Sequence, residues 1–211
     1  IHCGAWNANY KAYNQGGHFP HYIIPFIEMY SLWSNHEEAK KWNQTVKNFA
    51  YNYFVPATSQ NPFKILPAGY YKGLGLLNWS GWYHGHNKIF GYAAGLAMEF
   101  YHLYNDKQFL EIATGNLQWI TGLHSGFHEN TPEFSASMIV GIGNRYKEDW
   151  NAMVGTITNG FESDAQFSLE KPAKETDLPT VFGDEGGIHH PAGWISGLTR
   201  VKAYLTGENS H

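Results

Sequence analysis

The side chains best suited to acid–base chemistry lie in residues 182–194, which read Phe-Gly-Asp-Glu-Gly-Gly-Ile-His-His-Pro-Ala-Gly-Trp. Asp184 and Glu185 are adjacent carboxylates, and His189 and His190 follow them after a glycine-rich bend. Carboxyl and imidazole groups are common proton donors and acceptors in catalysis. A structural role also fits, because acidic residues favour the positive end of a helix dipole and proline suits a first helical turn. The segment leads into the last predicted helix, which begins within it at Pro191.

Aromatic residues form a second set of candidate functional side chains. Phe, Trp and Tyr make up 17% of the chain, against 15% for all charged residues. Most rings are expected to fill the core, but flat rings beside polar groups also suit sugars. Residues 57–85 contain prolines, glycines and rings without a sustained period, which predicts a long loop of the kind that often forms a binding wall. In that loop Trp79, Trp82 and Tyr83 are the predicted stacking platforms.

Composition excludes several classes of partner. The net charge is −4 and no cluster of Lys and Arg occurs, so no nucleic-acid partner is expected. No apolar run reaches the roughly 18 residues of a membrane span, so no membrane partner is expected either. Cys3 is the single cysteine, which excludes an internal disulfide. His84 and His86 lack a third nearby ligand, so no metal site or cofactor is predicted. A structural calcium ion is compatible with the chain, but no ligands for it can be assigned.

The elements that must position these groups are helices. Apolar residues recur at three- and four-residue steps in five runs, which predicts a mainly α protein. Short turns join the first helix to the second and the third to the fourth, whereas long segments precede the third and fifth. The repeated unit is a helical hairpin followed by a long loop. The predicted helices are 18–34, 36–55, 87–104, 107–121 and 191–206.

Several short motifs resemble one family. They are Gln118-Trp-Ile-Thr-Gly-Leu123, Ser137-Met-Ile-Val-Gly-Ile-Gly-Asn144, Asp184-Glu185 and Pro191-Ala-Gly-Trp-Ile-Ser-Gly-Leu198, together with Pro67-Ala-Gly69 followed by Trp82. In this order they resemble the C-terminal part of six-hairpin glycosidases, closest to family 9 glycoside hydrolases. The resemblance covers roughly residues 65–205. It implies helical hairpins of an (α/α)6 toroid, incomplete at about five of twelve helices, with long aromatic loops.

The resemblance also implies roles for individual residues. Glu185 matches the general acid of the family, and Asp184 takes the place of the Asn before it. His189 and His190 stand where the family has Asp-Tyr. Arg145 is the residue that could replace the family's sugar-binding "PHHR" element. The predicted function is therefore hydrolysis of glycosidic bonds in a polysaccharide or oligosaccharide.

The family's catalytic base is missing. Its "DAGD" motif does not occur, and inverting hydrolysis needs a second carboxylate roughly 6.5 to 9.5 Å from the acid. The candidate bases in this chain are the loop acids Glu162, Asp164 and Asp177. The chain is therefore expected to be either a single domain over 1–211 or the C-terminal fragment of a larger toroid, whose missing N-terminal part would be its partner. A secreted or periplasmic location is expected from the function.

Three alternatives remain open. In a polysaccharide lyase, His189, His190, Arg145 and Tyr146 would abstract a proton beside a uronate carboxylate. A binding-only or scaffold fragment would explain the missing base. A metal-dependent hydrolase would use the four histidines at 84, 86, 189 and 190. For the hydrolase, rings such as Trp194 would bury the acid and raise its pKa, and would also contact the sugar.

Overall fold

The fold is mainly α, as predicted. The computed structural model describes residues 20–67, 69–71, 75–77, 80–81, 84–85, 87–123, 137–139, 154–158, 160 and 188–208. None of the helices in these ranges is long and apolar enough to cross a membrane. The described helices are a 3₁₀ turn His21–Ile23 leading into α1 (Ile24–Leu32), α2 (Ala39–Phe49), a π-helical turn Ala50–Phe54 leading into α3 (Val55–Thr58), α4 (Asn87–Tyr104), α5 (Gln108–Thr121) and α6 (His189–Thr206).

The helix ends follow local chemistry. Pro25 lies in the first turn of α1, where a missing N–H costs nothing, so the α-helix starts later than residue 18. Gly122 ends α5 and Gly207 ends α6, both with the positive φ that glycine tolerates. The second helical run extends beyond the predicted end at 55, because a π turn precedes Pro56 and the chain stays helical to Thr58.

The region predicted as one long loop contains two small antiparallel pairs. Strand β1 (Gly69–Tyr71) pairs with β2 (Gly75–Leu77), and β3 (Ser80–Gly81) pairs with β4 (His84–Gly85). Strands of two or three residues are too short to produce an alternating pattern, which is why the sequence did not reveal them. In the described part of the second long connection, an antiparallel bridge joins Ile139 to Ile157.

The core is organised around α4. This helix is buried over most of its circumference, as its apolar residues predicted, and rings from α2, the π turn and α5 pack on it. Phe100 of α4 contacts Phe49, Phe54 and Phe109, with ring centroids 5.3 to 6.3 Å apart. Each such side chain contributes about 1.5–3 kcal/mol when it is fully removed from water.

The helices α4 and α6 run parallel in direct contact. The contacts follow each other in order along both helices, from Gly91 with Gly193, through Gly95 with Ser196 and Glu99 with Arg200, to Tyr101 with Tyr204. The Arg200 Nε and the Glu99 Oε1 are 2.6 Å apart. Because residue numbers rise together in the two helices, their N-termini lie at the same end of the fold.

The N-terminal end of α4 and α6 also receives both long connections. Residues 59–86 lead into α4, and residues 122–188 lead into α6, whereas the joins 33–38 and 105–107 are short. A second core cluster lies at this end. It unites the start of α4 and the end of α5 with pieces of both long connections: Ile65, Phe90, Trp119, Ile120, Met138 and Ile157.

The opposite end, where the short joins lie, carries a tyrosine that should titrate late. Burial, with smaller contributions from Tyr51 and Tyr30, raises the pKa of Tyr104 to about 12. An unfolded tyrosine loses its proton near pH 10. The unfolded chain therefore binds fewer protons than the folded chain between about pH 10 and 12, and stability should fall across that interval.

We expect an absorbance titration of phenolate to lose one tyrosine's contribution near pH 12 in the Tyr104→Phe protein. The control Tyr204→Phe, on α6, should keep that contribution. An unchanged contribution near pH 12 in Tyr104→Phe would contradict the assignment.

Candidate functional site

The candidate site is the end of the fold at which α4 and α6 begin. Residue Lys88, in the first turn of α4, lies against Gly193 in α6: a Cβ on that glycine would stand 2.5 Å from the Lys88 carbonyl oxygen. The two helix N-termini are therefore adjacent. Free backbone N–H groups and the positive dipole end favour acidic or polar ligands at such a place.

Three predicted site residues belong to α6, and the structure describes each. His190 is buried at 3% exposure, whereas the preceding His189 is exposed. Their ring centroids are 4.1 Å apart. Trp194 is half-buried and packs against both core clusters, so much of its ring surface contacts the core. A role for these side chains in sugar binding stays a prediction.

Two titratable residues of α4 lie at the same end. Burial lowers the pKa of the Lys88 amine, which increases the neutral fraction that can accept a proton. One turn further along the helix, burial raises the pKa of the Tyr92 phenol. Ionisable groups whose pKa values are shifted by burial occur often in functional sites. Lys88 and Tyr92 therefore join the candidate site.

The buried amide of Asn87 fixes the second long connection to the start of α4. Its Nδ2 donates to the Thr158 carbonyl oxygen at 2.8 Å and to the Met138 Sδ at 3.0 Å. The Met138 N–H in turn donates to the Ile120 carbonyl at the end of α5. A Cβ on Gly160 would stand 2.7 Å from the Asn87 Oδ1, so only glycine fits beside this amide. The bridged pieces of this connection are thus held at the candidate site.

Two further buried amides fix the first long connection. The Asn116 Oδ1 accepts from the Leu66 N–H, and its Nδ2 donates to the Lys64 carbonyl. The Asn61 side chain accepts from the Ile65 N–H and donates to the Ile65 carbonyl. Buried polar groups are retained when they are hydrogen-bonded. These amides give residues 64–66 the backbone hydrogen bonds that a strand partner would otherwise provide.

We expect Asn87→Ala to destabilise the protein by about 1–3 kcal/mol, because the Thr158 carbonyl loses its buried donor. Chemical denaturation measures the loss, and limited proteolysis should cut first in the connection that the amide holds. The control is Asn48→Ala on α2, whose amide oxygen accepts from the exposed Gln44 side chain. Equal losses in the two variants would contradict the anchoring role.

Most predicted site residues lie outside the described residues. The structure gives no position for the acid Glu185, its neighbour Asp184 or the predicted sugar ligands Trp79, Trp82, Tyr83 and Arg145. The same holds for Tyr146, His86 and the candidate bases Glu162, Asp164 and Asp177. His84 is described through its backbone in β4. Among the residues with described side chains, no three His, Cys, Asp or Glu groups come together to hold a metal ion.

The sequence prediction missed Lys88 and Asn87. Both stand at the start of the most apolar helix, where a lysine and an asparagine interrupt an otherwise buried surface. A polar residue in such a position must find a partner or shift its pKa. That signal was present in the sequence, but the partners of Asn87 come from residues 51 and 71 positions later in the chain.

Comparisons with protein-family models, with curated proteins and with solved structures find no match to this chain.

Proposed function

We propose that this chain is part of an (α/α)6-type glycoside hydrolase that cleaves a polysaccharide or oligosaccharide, with Glu185 as the general acid. As the bond from the anomeric carbon breaks, the acid would protonate the leaving glycosidic oxygen, and a water molecule that loses its proton to a candidate base, Glu162, Asp164 or Asp177, would bond to the anomeric carbon. His189, His190 and Arg145 would bind hydroxyl or carboxylate groups of the sugar. The rings Trp79, Trp82, Tyr83 and Trp194 would provide its apolar contacts. A secreted or periplasmic location belongs to the same proposal.

The observation that carries the proposal is the parallel pairing of α4 and α6. In chain order, α5 follows α4 after a short join and runs back, so that α6 can start at the same end of the fold as α4. An (α/α)6 toroid is built from such hairpins, with neighbouring inner helices parallel. The early pair α1 and α2 is also joined by a short segment and is in contact. This arrangement fits two hairpins and the first helix of a third.

The proposal is also supported by the features typical of functional sites that lie together at the N-terminal end of α4 and α6. Both long connections enter there, and long connections often carry binding and catalytic residues. The exposed His189, the buried His190 and the half-buried Lys88 belong to the same end. In sequence, Glu185 stands three positions before Ile188, the N-cap residue of α6.

A lyase is the second candidate, favoured by the histidine pair itself. An exposed imidazole in contact with a buried one could remove a proton beside a uronate carboxylate. In that reaction the C4–O bond breaks as the proton leaves C5, and the product contains a carbon–carbon double bond.

The test separates the candidates by their products. The protein is incubated with neutral β-glucan, xylan and a polyuronate, and new reducing ends and near-ultraviolet absorbance are both measured. We expect reducing ends without new absorbance. New absorbance with the polyuronate would replace the hydrolase by the lyase. Binding with no product after long incubation would leave a binding-only protein.

A further inference from the structure

A groove follows the outer face of α5, away from the contact between α4 and α6. Its volume is about 440 Å³, within the range of small-ligand sites. One wall is α5, and the other is the segment that contains Phe63 and Lys64. No step of the proposed hydrolysis uses this groove.

The two walls of the groove are held rigidly. The oxygen of Phe63 lies so close to Gly115 that a Cβ on this glycine would overlap it, so the segment sits directly on the helix. Lys64 has φ +59°, an uncommon conformation for a residue other than glycine. Hydrogen bonds from Asn61 and Asn116 to residues 64–66 maintain that conformation. A pre-formed site binds with a smaller loss of entropy than a flexible one.

The lining chemistry suits a neutral, hydroxyl-rich ligand. Lys64 and Glu111 supply one charge of each sign, so the groove attracts neither a polyanion nor a polycation strongly. The Glu111 carboxylate and the Gln118 side-chain amide are both exposed at the groove and can bond to hydroxyl groups of a ligand. Seven helical residues separate them, or about 10 Å along the axis. Two linked pyranose rings have a comparable length.

An aromatic and an aliphatic surface complete the groove. The Phe63 ring is half-buried and is fixed edge-on against Trp119, with centroids 5.0 Å apart and an angle of 69°. Leu123, at the far end of the groove, is 61% exposed. Sugars have both hydroxyl edges and apolar ring faces, and this lining offers partners for both.

We propose that the α5 groove is a second carbohydrate-binding site that takes a short segment of a neutral oligosaccharide. The identification of the ligand as carbohydrate rests on the proposed function. The geometry of the groove does not depend on Glu185 or on any other residue of the catalytic proposal. The site would hold a polysaccharide chain on the protein surface during catalysis elsewhere.

The test blocks the groove with Thr114→Trp and compares a matched control, Thr199→Trp. Both threonines are exposed on helices, and each hydroxyl donates to the carbonyl four residues earlier at 2.7 Å. Calorimetric titrations use cellohexaose, xylohexaose and maltohexaose as separate probes, with the Glu185→Gln protein as background to prevent turnover. We expect Thr114→Trp to weaken binding of at least one probe tenfold or more, and Thr199→Trp to change it less than twofold.

A second variant, Glu111→Ala with Gln118→Ala, removes the polar groups without filling the groove, and it should weaken the same probe. Amide NMR shifts in α5 locate the bound sugar. Absence of binding by all three probes, or sugar-induced amide shifts in α5 that persist unchanged in the Thr114→Trp protein, would overturn the groove proposal. Hydrolysis without groove binding would leave the proposed function intact, and groove binding without hydrolysis would remove the function but keep the second site.

Discussion

Replacement of Gly193 by alanine is expected to lower the free energy of unfolding by about 1–3 kcal/mol or more, the usual cost of overpacking. The new Cβ would stand 2.5 Å from the Lys88 carbonyl oxygen and 3.1 Å from its Cα. These are backbone atoms of α4, which cannot rotate away as a flexible side chain can. The helices would have to separate along their whole contact, and Gly91 and Gly197 would lose their close approach as well.

The sign of the Gly193→Ala change in stability distinguishes two physical effects. Helix propensity alone predicts that glycine to alanine stabilises a helix interior by up to about 1 kcal/mol. The backbone contact predicts a loss of stability, and this loss exceeds the gain in helix propensity. A loss of about 2 kcal/mol should lower Tm by roughly 4–8 °C in a chain of this size.

The control for this substitution is Ala192→Leu, at the neighbouring exposed position of α6. It adds more atoms than Gly193→Ala but should change stability by less than about 0.5 kcal/mol. Thermal unfolding followed by circular dichroism measures both. An unchanged or higher Tm for Gly193→Ala would show that α4 and α6 are not packed backbone to backbone.

The second large effect is expected from Glu185→Gln. The amide keeps the size of the acid but cannot donate its proton to a leaving oxygen, so kcat should fall by about 10²–10⁴-fold if general acid catalysis is lost. Sugar binding should persist, because the shape of the side chain is nearly unchanged. Initial rates of reducing-end release and calorimetric binding, measured on the same preparation, separate the two effects.

Two controls accompany the Glu185→Gln variant. Glu28→Gln, at an exposed position of α1, makes the same chemical change elsewhere and should leave the rate unchanged. Asp184→Asn tests whether the adjacent carboxylate contributes. Full turnover by the Glu185→Gln protein would remove this residue from the mechanism, and an equal loss in Glu28→Gln would point to a general loss of folded protein.

Much of the helical content could be predicted from the sequence. The apolar period in 87–104 predicted a buried helix, and α4 spans those residues with the expected burial. Gly122 and Gly207 were predicted to end the last two helices, and both do so with positive φ. These features depend on interactions within a few residues, so local sequence contains the necessary information.

The long connections were less predictable. The pairs β1–β2 and β3–β4 give no periodic signal, because each strand is too short. Buried amides of Asn61, Asn87 and Asn116 hold these connections. An asparagine in a sequence is equally compatible with a turn, a cap or a buried anchor, so its partner is decided by the fold.

The segment that contains Asp184, Glu185 and the histidine pair shows which properties of the candidate site come from the sequence and which come from the tertiary structure. The residue types and their order before a helix are properties of the sequence, and the resemblance of these motifs to six-hairpin glycosidases implied the role of general acid. The tertiary structure decided that α6 lies parallel to α4, that His190 is buried while His189 is exposed, and that Lys88 lies at the same end. Local patterns determine helices because their hydrogen bonds span four residues, whereas helix pairing depends on contacts about 100 residues apart in the chain.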